Sequence, residues 1–168
     1  MSDGNDARDI ATAVIDSNRY MVLGTVDENG HPWTTPVYFA PEAYREFYWL
    51  SSPETNHSRN VAARSDVSLV VFDSQVPIGS AQAVYMSARA EEVTGEDLER
   101  GIGVFSARSL RHGAREWTLR DVREPSMFRL YRAAVTQQWT LCPREPGRQC
   151  REHGHAFDHR TAIDLGGG

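Results

Sequence analysis

The sequence predicts one mainly β domain, a small antiparallel barrel of six strands with helices at its rim. Six β-rich segments follow one another, most of them joined by short turns. Helical patterns fall at the start, between the third and fourth strands, and after the fifth strand, which favours a barrel with peripheral helices. The 168 residues, 40% of them apolar, are enough for one core and too few for two ordinary domains. We place this domain in residues 1–141 and predict an irregular tail over residues 142–168.

The first half of the chain alternates apolar β-rich runs with turns. Asn29 and Gly30 favour the positive φ angles of a hairpin turn between the first two strands. Pro32 and Pro36 remove ladder donors from the second strand, which therefore lies at an edge or a split of the sheet. The elements predicted here are a short helix capped by Asp9, strands at Arg19–Val26, His31–Phe39 and Glu46–Leu50, a helix of about two turns from Asn56, and a buried strand at Val67–Phe72.

The second half is predicted to add two long strands and one helix. Alternation of apolar and polar residues predicts a fifth strand at Gln82–Val93 and a last strand at Met127–Leu141. Between them, Thr94 with Asp97 at the third position predicts a capped helix. An apolar stripe at helical spacing, formed by Leu98, Ile102 and Phe105, faces the core. The Arg-rich segment Ser106–Glu124 is predicted to be a helical or looped excursion.

Charge and composition exclude several classes of protein. The net charge is −5 and the basic residues form no dense block, so neither nucleic acid nor an anionic membrane is an expected partner. All 18 basic residues are arginine, which excludes chemistry based on a lysine of this chain. No apolar run is long enough to span a bilayer, and the polar start lacks the order of a signal peptide. We therefore expect a cytoplasmic protein, with Cys142 and Cys150 as free thiols.

A polar turn after the third strand is the best candidate site. It gathers hydroxyl, amide, imidazole and guanidinium groups, contributed by Ser51, Ser52, Thr55, Asn56, His57, Ser58 and Arg59. A phosphate needs several donors and positive charge, and a turn of this kind leading into a helix offers both, with Arg59 as a bidentate partner. The alternative is that Ser52, Thr55 and Asn56 only cap the helix, which typically contributes about 1 kcal/mol. The residues alone favour capping.

Several of these segments together resemble the pyridoxamine 5′-phosphate oxidase-like family of FMN-binding split barrels. They are RYMVLGTVDENGHPWTTPVYF, EFYWLSS, the polar turn with SRN, and DVSLVVF. The most specific parts are the Gly-x-Pro-x-x-x-Pro pattern from Gly30 to Pro36 and the spacing from the turn through Asn60 to Val67. The resemblance covers about Ile10 to Leu141 and implies a six-stranded antiparallel split barrel. It also implies a homodimer with FMN at the subunit interface.

The resemblance assigns cofactor contacts residue by residue. Along the flavin ring it places Thr34, Thr35, Pro36 and Val37, and at the ribityl chain or phosphate it places Leu50 and Ser51. In the turn, Asn56 and His57 occupy the positions where many members have a basic pair, often with lysine second. Further contacts are assigned to Gln82 and Trp139, the latter from the other subunit. An unperturbed His57 is only partly charged at neutral pH, which predicts weaker phosphate affinity or a different cofactor.

The function implied is an FMN-dependent oxidoreductase acting on an unknown small molecule. The flavin carries the hydride chemistry, and no side chain need act as acid or base. Pyridoxamine-phosphate oxidase activity itself is not expected, because the tail does not show the closing Arg-x-His arrangement in the sequence context that those enzymes have. One alternative is a deazaflavin-dependent reductase, with an Arg groove in Arg108–Arg123 for the acidic cofactor tail. Another is a protein that binds flavin or haem without turnover.

The remaining candidates have plainer interpretations. Trp33, Tyr48 and Trp49 are expected in the barrel core, and a single glutamine such as Gln82 is usually solvated. Trp139 is as compatible with simple packing as with a flavin or interface contact. The Arg108–Arg123 segment is preferred as a solvated, salt-bridged face. The tail contains zinc-ligand types in Cys142, Cys150, His153, His155 and His159, but their spacing is unusual and no metal site is predicted.

Overall fold

A computed structural model describes residues 3–142, 147–150 and 152–166, with side chains from Ala7 onwards. The described residues form one antiparallel sheet of eight strands, with three helices around it. In chain order the elements are α1 (Asp3–Ser17), β1 (Tyr20–Val26), β2 (Pro32–Tyr38), β3 (Ala40–Glu42), β4 (Glu46–Ser51), α2 (Asn56–Ala63), β5 (Asp66–Phe72), β6 (Ala83–Glu92), α3 (Asp97–Arg111), a short 3-10 helix (Leu119–Asp121), β7 (Arg129–Leu141) and β8 (Arg160–Ile163). Within this part of the chain, no helix is long and apolar enough to cross a bilayer.

The sheet curls into a split barrel. Its strand order is β2-β1-β5-β6-β7-β4-β3, and β8 adds to β7. The strand β7 is 13 residues long and pairs with β4 near its start and with β8 at its end. At the split, β2 lies against β4, and the two strands form no ladder in the described sheet. The position of β2 at the end of the sheet confirms the prediction made from Pro32 and Pro36.

Two cores hold the barrel and its helices together. Inside the barrel, alternate residues of β1 and β5 are buried, and the Trp49 ring stacks on that of Tyr131 at 5.6 Å. Outside it, α3 packs on β4 and β7 through Tyr48 and Leu130. The prediction of a position in the barrel core is therefore confirmed for Trp49, whereas Tyr48 is buried outside the barrel, against α3. For Trp33 it is wrong: this ring is 46% exposed because it lies near the start of a terminal strand.

Four other predictions need correction. Asp9 does not cap α1, because the helix already begins at Asp3. Thr94 does not cap α3, which begins after Glu96 with no side-chain cap. The strand β3 was missed because three residues are too few to show alternation. The strand β8 was missed because its four residues stand in a loop-rich segment, where pairing with β7 and burial of Leu165 in the barrel core hold them in place.

Two arginines of the Arg108–Arg123 segment serve the fold. Arg108 is buried on α3 and donates to the carbonyl oxygens of Ile15 and Asn18 at 3.1 and 2.8 Å, which ties α3 to the end of α1. Arg115 pairs with Asp121 at 2.9 Å. The Arg115 pair agrees with the prediction of a solvated, salt-bridged face, whereas for buried Arg108 that prediction is wrong.

Candidate functional site

The polar turn between β4 and α2 is a connected set of hydroxyl groups centred on His57. Its Nε2 atom lies 2.7 Å from Ser51 Oγ and 3.2 Å from Thr55 Oγ1. Thr55 Oγ1 in turn lies 2.9 Å from Ser58 Oγ. Ser51, His57 and Ser58 are all buried, whereas Asn56 at the start of the helix is exposed. The turn is therefore a preformed polar site.

The N-terminus of α2 has no side-chain cap. Thr55 stands at the capping position, but its hydroxyl donates to the Ser52 carbonyl oxygen at 2.9 Å and makes no capping bond. Ser52 Oγ accepts from the Glu54 backbone N–H at 3.2 Å instead. The first turn also contains no acidic residue. The capping interpretation is thus wrong for Thr55 and Ser52, and the helix leaves its first N–H groups and its positive dipole end available to an anion.

His57 occupies the position where the family often has lysine, but it cannot supply the same charge. The side chain is 9% exposed, and burial lowers its pKa below the ordinary value. The partial charge expected from the sequence at neutral pH is therefore smaller still. Its hydrogen bond with Ser51 gives His57 a different role, which is to hold the turn in shape.

The burial of His57 has a measurable effect on stability. The unfolded imidazole takes up a proton near pH 6.5, while the folded one resists protonation. The His57 contribution is therefore fully present above about pH 6.5 and is lost as the pH falls toward the lower folded pKa. We expect His57→Gln, which keeps a polar group near the Nε2 position, to flatten this part of the pH profile in urea unfolding. Equal profiles for wild type and His57→Gln would contradict the assignment.

Two arginines lie near the turn. Arg59 is exposed, and its Nη2 donates to Glu54 Oε2 at 2.6 Å. Arg129 lies directly opposite Ser51 in the β4–β7 ladder, and its side chain is 18% exposed. The sequence analysis missed Arg129 because only strand pairing brings it to the turn. A scan for arginines that begin a strand could have marked it as a candidate, without showing its partner.

Hydrogen bonds hold α2 in a fixed position beside β2. Asn60 Nδ2 donates to Thr25 Oγ1 at 3.0 Å, and Thr25 Oγ1 donates to the Trp33 carbonyl oxygen at 3.4 Å. The open helix end and the terminal strand therefore belong to one rigid arrangement. Because β2 pairs only with β1 in the described sheet, its other edge presents backbone groups with no strand partner.

The predicted ring and ribityl contacts have different environments. Thr34 and Pro36 are exposed, Thr35 is half-buried, and Val37 is buried in the barrel core. Leu50 is half-buried against the α3 core, on the opposite strand face from Ser51. For Val37 and Leu50, any cofactor contact would thus come from the backbone.

Gln82 and Trp139 lie on or beside the central strands β6 and β7. Gln82 precedes β6 and is half-buried, and its Oε1 has no donor among the described residues. The prediction that Gln82 is solvated is therefore wrong for its side-chain oxygen. Trp139 is half-buried on the outer face of the sheet. It belongs to a row of directly paired residues that crosses six strands, namely Pro36, Val22, Val70, Tyr85, Trp139 and Ala162.

A curled antiparallel sheet, open between β2 and β4 and surrounded by peripheral helices, defines a split-barrel protein. Residues 8–142 match the family model described as pyridoxamine 5′-phosphate oxidase, and the chain belongs to that family. No curated protein matches the chain in sequence.

Solved structures show the same fold. A heme binding protein from Mycobacterium smegmatis aligns with a TM-score of 0.65 at 16% identity, over 99% of this chain and 60% of that one. The heme storage protein HutZ from Vibrio cholerae aligns with a TM-score of 0.60 at 20% identity, over 75% of this chain and 87% of that one. An F420 reductase aligns with a TM-score of 0.57 at 14% identity, over 76% of this chain and 94% of that one. This chain thus spans about three fifths of the length of the Mycobacterium protein.

Proposed function

We propose that this protein is an FMN-dependent oxidoreductase that transfers hydride to or from a small molecule. The observation that carries the proposal is the uncapped N-terminus of α2, held beside the unpaired edge of β2. An anionic phosphate suits the first feature, and the polar pyrimidine edge of a flavin suits the second. FMN has both groups in one molecule.

The phosphate would be bound by a mixed set of donors. The backbone N–H groups of Asn56, His57 and Ser58 and the Ser51 hydroxyl supply hydrogen bonds, and the helix dipole supplies positive potential. Arg59 supplies charge at little energetic cost, because its exposed pair with Glu54 is worth less than about 1 kcal/mol. Arg129, opposite Ser51, is a second source of charge, and its guanidinium is held in place by the Ser126 and Phe128 carbonyl oxygens, each at 2.7 Å.

The ring would lie along β2, with the backbone of residues 34–37 meeting its pyrimidine edge. Gln82 has a buried oxygen without a donor, and a flavin N–H group would satisfy it. The flavin supplies the hydride chemistry when bound. The chain positions the ring, excludes water from one side of it and stabilises charge on its pyrimidine edge, and no side-chain acid or base is required.

The two alternative cofactors fit the residues less well. Haem requires an axial ligand, but the nitrogen of His57 that faces the turn is already bonded to Ser51 at 2.7 Å. The acidic tail of a deazaflavin requires free positive charge. In the segment predicted to provide it, Arg108 is buried against α1 and Arg115 is paired with Asp121. The tail would therefore have to be bound by the exposed arginines of the segment, namely Arg111, Arg120 and Arg123. The FMN proposal needs neither arrangement to change.

We further propose that the protein is a homodimer with the cofactor at the interface. The paired row on the outer sheet face includes Val70, Tyr85 and Trp139, and the same face has Phe72 43% exposed at the end of β5. A continuous apolar stripe across a sheet is typical of a surface that a partner covers. A second copy would place its own Trp139 near the first copy's β2.

Reconstitution tests the proposed function. We expect the flavin-free protein to bind FMN at one per chain and riboflavin more weakly, in a particle of about twice the 18.9 kDa chain mass by light scattering. The bound flavin should be reduced by a nicotinamide or other hydride donor and reoxidised by an acceptor. Uptake of a deazaflavin or of haem in preference to FMN would overturn the proposal. If FMN binds but no hydride donor reduces it, the protein has a binding function and is not an oxidoreductase.

A further inference from the structure

Four potential metal ligands converge where β7 ends and β8 begins. Cys142 follows β7, Cys150 and His153 lie in the next loop, and His159 directly precedes β8. One ligand atom from each residue lies within 4.8 Å of all the others. Both cysteines are free and buried, although the sequence predicted only a loose loop here.

Four of the six distances between these atoms are close to the edges of a tetrahedral zinc site. The His153 Nδ1 atom lies 3.6 Å from Cys142 Sγ and 3.9 Å from Cys150 Sγ. His159 Nε2 lies 3.4 Å from Cys150 Sγ and 3.1 Å from His153 Nδ1. Zn–S bonds of about 2.3 Å and Zn–N bonds of about 2.0–2.1 Å at tetrahedral angles separate the ligand atoms by about 3.3–3.8 Å.

Hydrogen bonding alone does not account for this cluster. His153 Nδ1 faces three groups at once, namely two thiols and a second imidazole nitrogen. A ring nitrogen has either one proton or one lone pair, so it can make one good hydrogen bond and not three. A cation at the centre of the four atoms gives every one of them a partner.

The surroundings orient the ligands as the second shell of a metal site does. His159 Nδ1 lies 3.0 Å from the Phe157 carbonyl oxygen, which directs its Nε2 inward. His153 Nε2 lies 3.6 Å from Glu152 Oε1, and the other oxygen of this carboxylate lies 4.0 Å from Cys142 Sγ. The His153 backbone N–H donates to Cys150 Sγ at 3.2 Å.

We propose that Cys142, Cys150, His153 and His159 bind one zinc ion. Two thiolates and two imidazoles are a ligand set that zinc prefers, and four protein ligands leave no open position, which makes the site structural. The site joins the end of β7 to the start of β8, where Cys142 N–H also bonds the His159 carbonyl oxygen at 2.8 Å. It therefore holds in place β8 and Leu165, whose side chain fills the barrel core.

Metal analysis of tag-free protein purified with a thiol reductant tests this proposal. We expect one zinc per chain that survives dialysis, and loss of zinc to a strong chelator should lower the melting temperature. Cobalt(II) added to the stripped protein should give the intense visible bands of a tetrahedral site and a thiolate charge-transfer band. A pale octahedral cobalt spectrum, or no uptake by the reduced protein, would overturn the proposal.

Variants separate this site from adventitious binding. Cys150→Ser and His153→Ala should each weaken zinc affinity by at least about 10-fold, because replacing a residue that only supports a metal ligand already costs about 10-fold to 100-fold. The matched control is His155→Ala, because His155 stacks on His153 but is not one of the four ligands. Unchanged zinc affinity in Cys150→Ser, or equal loss in His155→Ala, would contradict the assignment. The cobalt spectrum of the wild type keeps the test valid even if a variant fails to fold.

Discussion

Asn56→Asp is expected to weaken FMN binding about 100-fold while leaving riboflavin binding unchanged. Asn56 is the exposed first residue of α2, and the substitution adds a negative charge with almost no change of shape. Two like unit charges about 4 Å apart repel by about 4 kcal/mol near a protein surface, and exposure reduces this to about 2–3 kcal/mol. Fluorescence titration of the apo-protein with each flavin measures the two affinities.

The comparison of two ligands makes the result specific. Riboflavin lacks the phosphate, so a general loss of structure would weaken both flavins equally. The control Asn29→Asp makes the same chemical change in the exposed turn between β1 and β2 and should leave both affinities unchanged. The helix itself should become slightly more stable, because an aspartate in the first turn favours the dipole by about 0.3–1 kcal/mol. Equal weakening of FMN and riboflavin by Asn56→Asp would contradict a phosphate site at α2.

Gly101→Ala is expected to lower the free energy of unfolding by about 2 kcal/mol. A Cβ atom at Gly101 would lie 2.8 Å from both Leu130 Cδ2 and Tyr48 Cε1, where α3 crosses the sheet. Tyr48 cannot retreat easily, because its hydroxyl donates to Glu46 and Glu42 at 2.6 and 3.1 Å. The clash therefore outweighs the better helix propensity of alanine. Urea unfolding followed by tryptophan fluorescence measures the change.

Gly103→Ala provides a control on the same helix with the opposite sign. No heavy atom lies within 4 Å of a Cβ built there, so alanine should stabilise α3 by about 0.5–1 kcal/mol. The two variants differ only in what the added methyl group meets. If both substitutions stabilise the protein, the close packing of α3 on β4 and β7 is wrong.

Local sequence patterns were sufficient for much of the fold. Two prolines placed β2 at the end of the sheet, and the alternation in Ala83–Glu92 and Arg129–Leu141 marked the two longest strands. These predictions succeed because proline geometry and strand periodicity are properties of neighbouring residues. The polar turn was found for the same reason, since its hydroxyl groups are adjacent along the chain.

The character of the turn depended on geometry that the sequence does not show. Whether Thr55 caps α2 or leaves it open depends on its hydrogen bond with the Ser52 carbonyl, and the two outcomes have the same sequence. The lowered pKa of His57 follows from its burial in the assembled fold. Arg129 reaches Ser51 only through the β4–β7 ladder.

The tail shows most clearly the difference between what local sequence predicts and what the tertiary structure decides. Its composition indicated ligand types, yet the spacing from Cys142 to Cys150 argued against a metal site. Spacing is informative only when one short loop holds all the ligands. Here β7 and β8 pair and bring Cys142 and His159 together from the two ends of a long loop. Composition and local pattern therefore identify the strands and the kinds of side chain, while strand pairing and burial determine which side chains meet and which of them are charged.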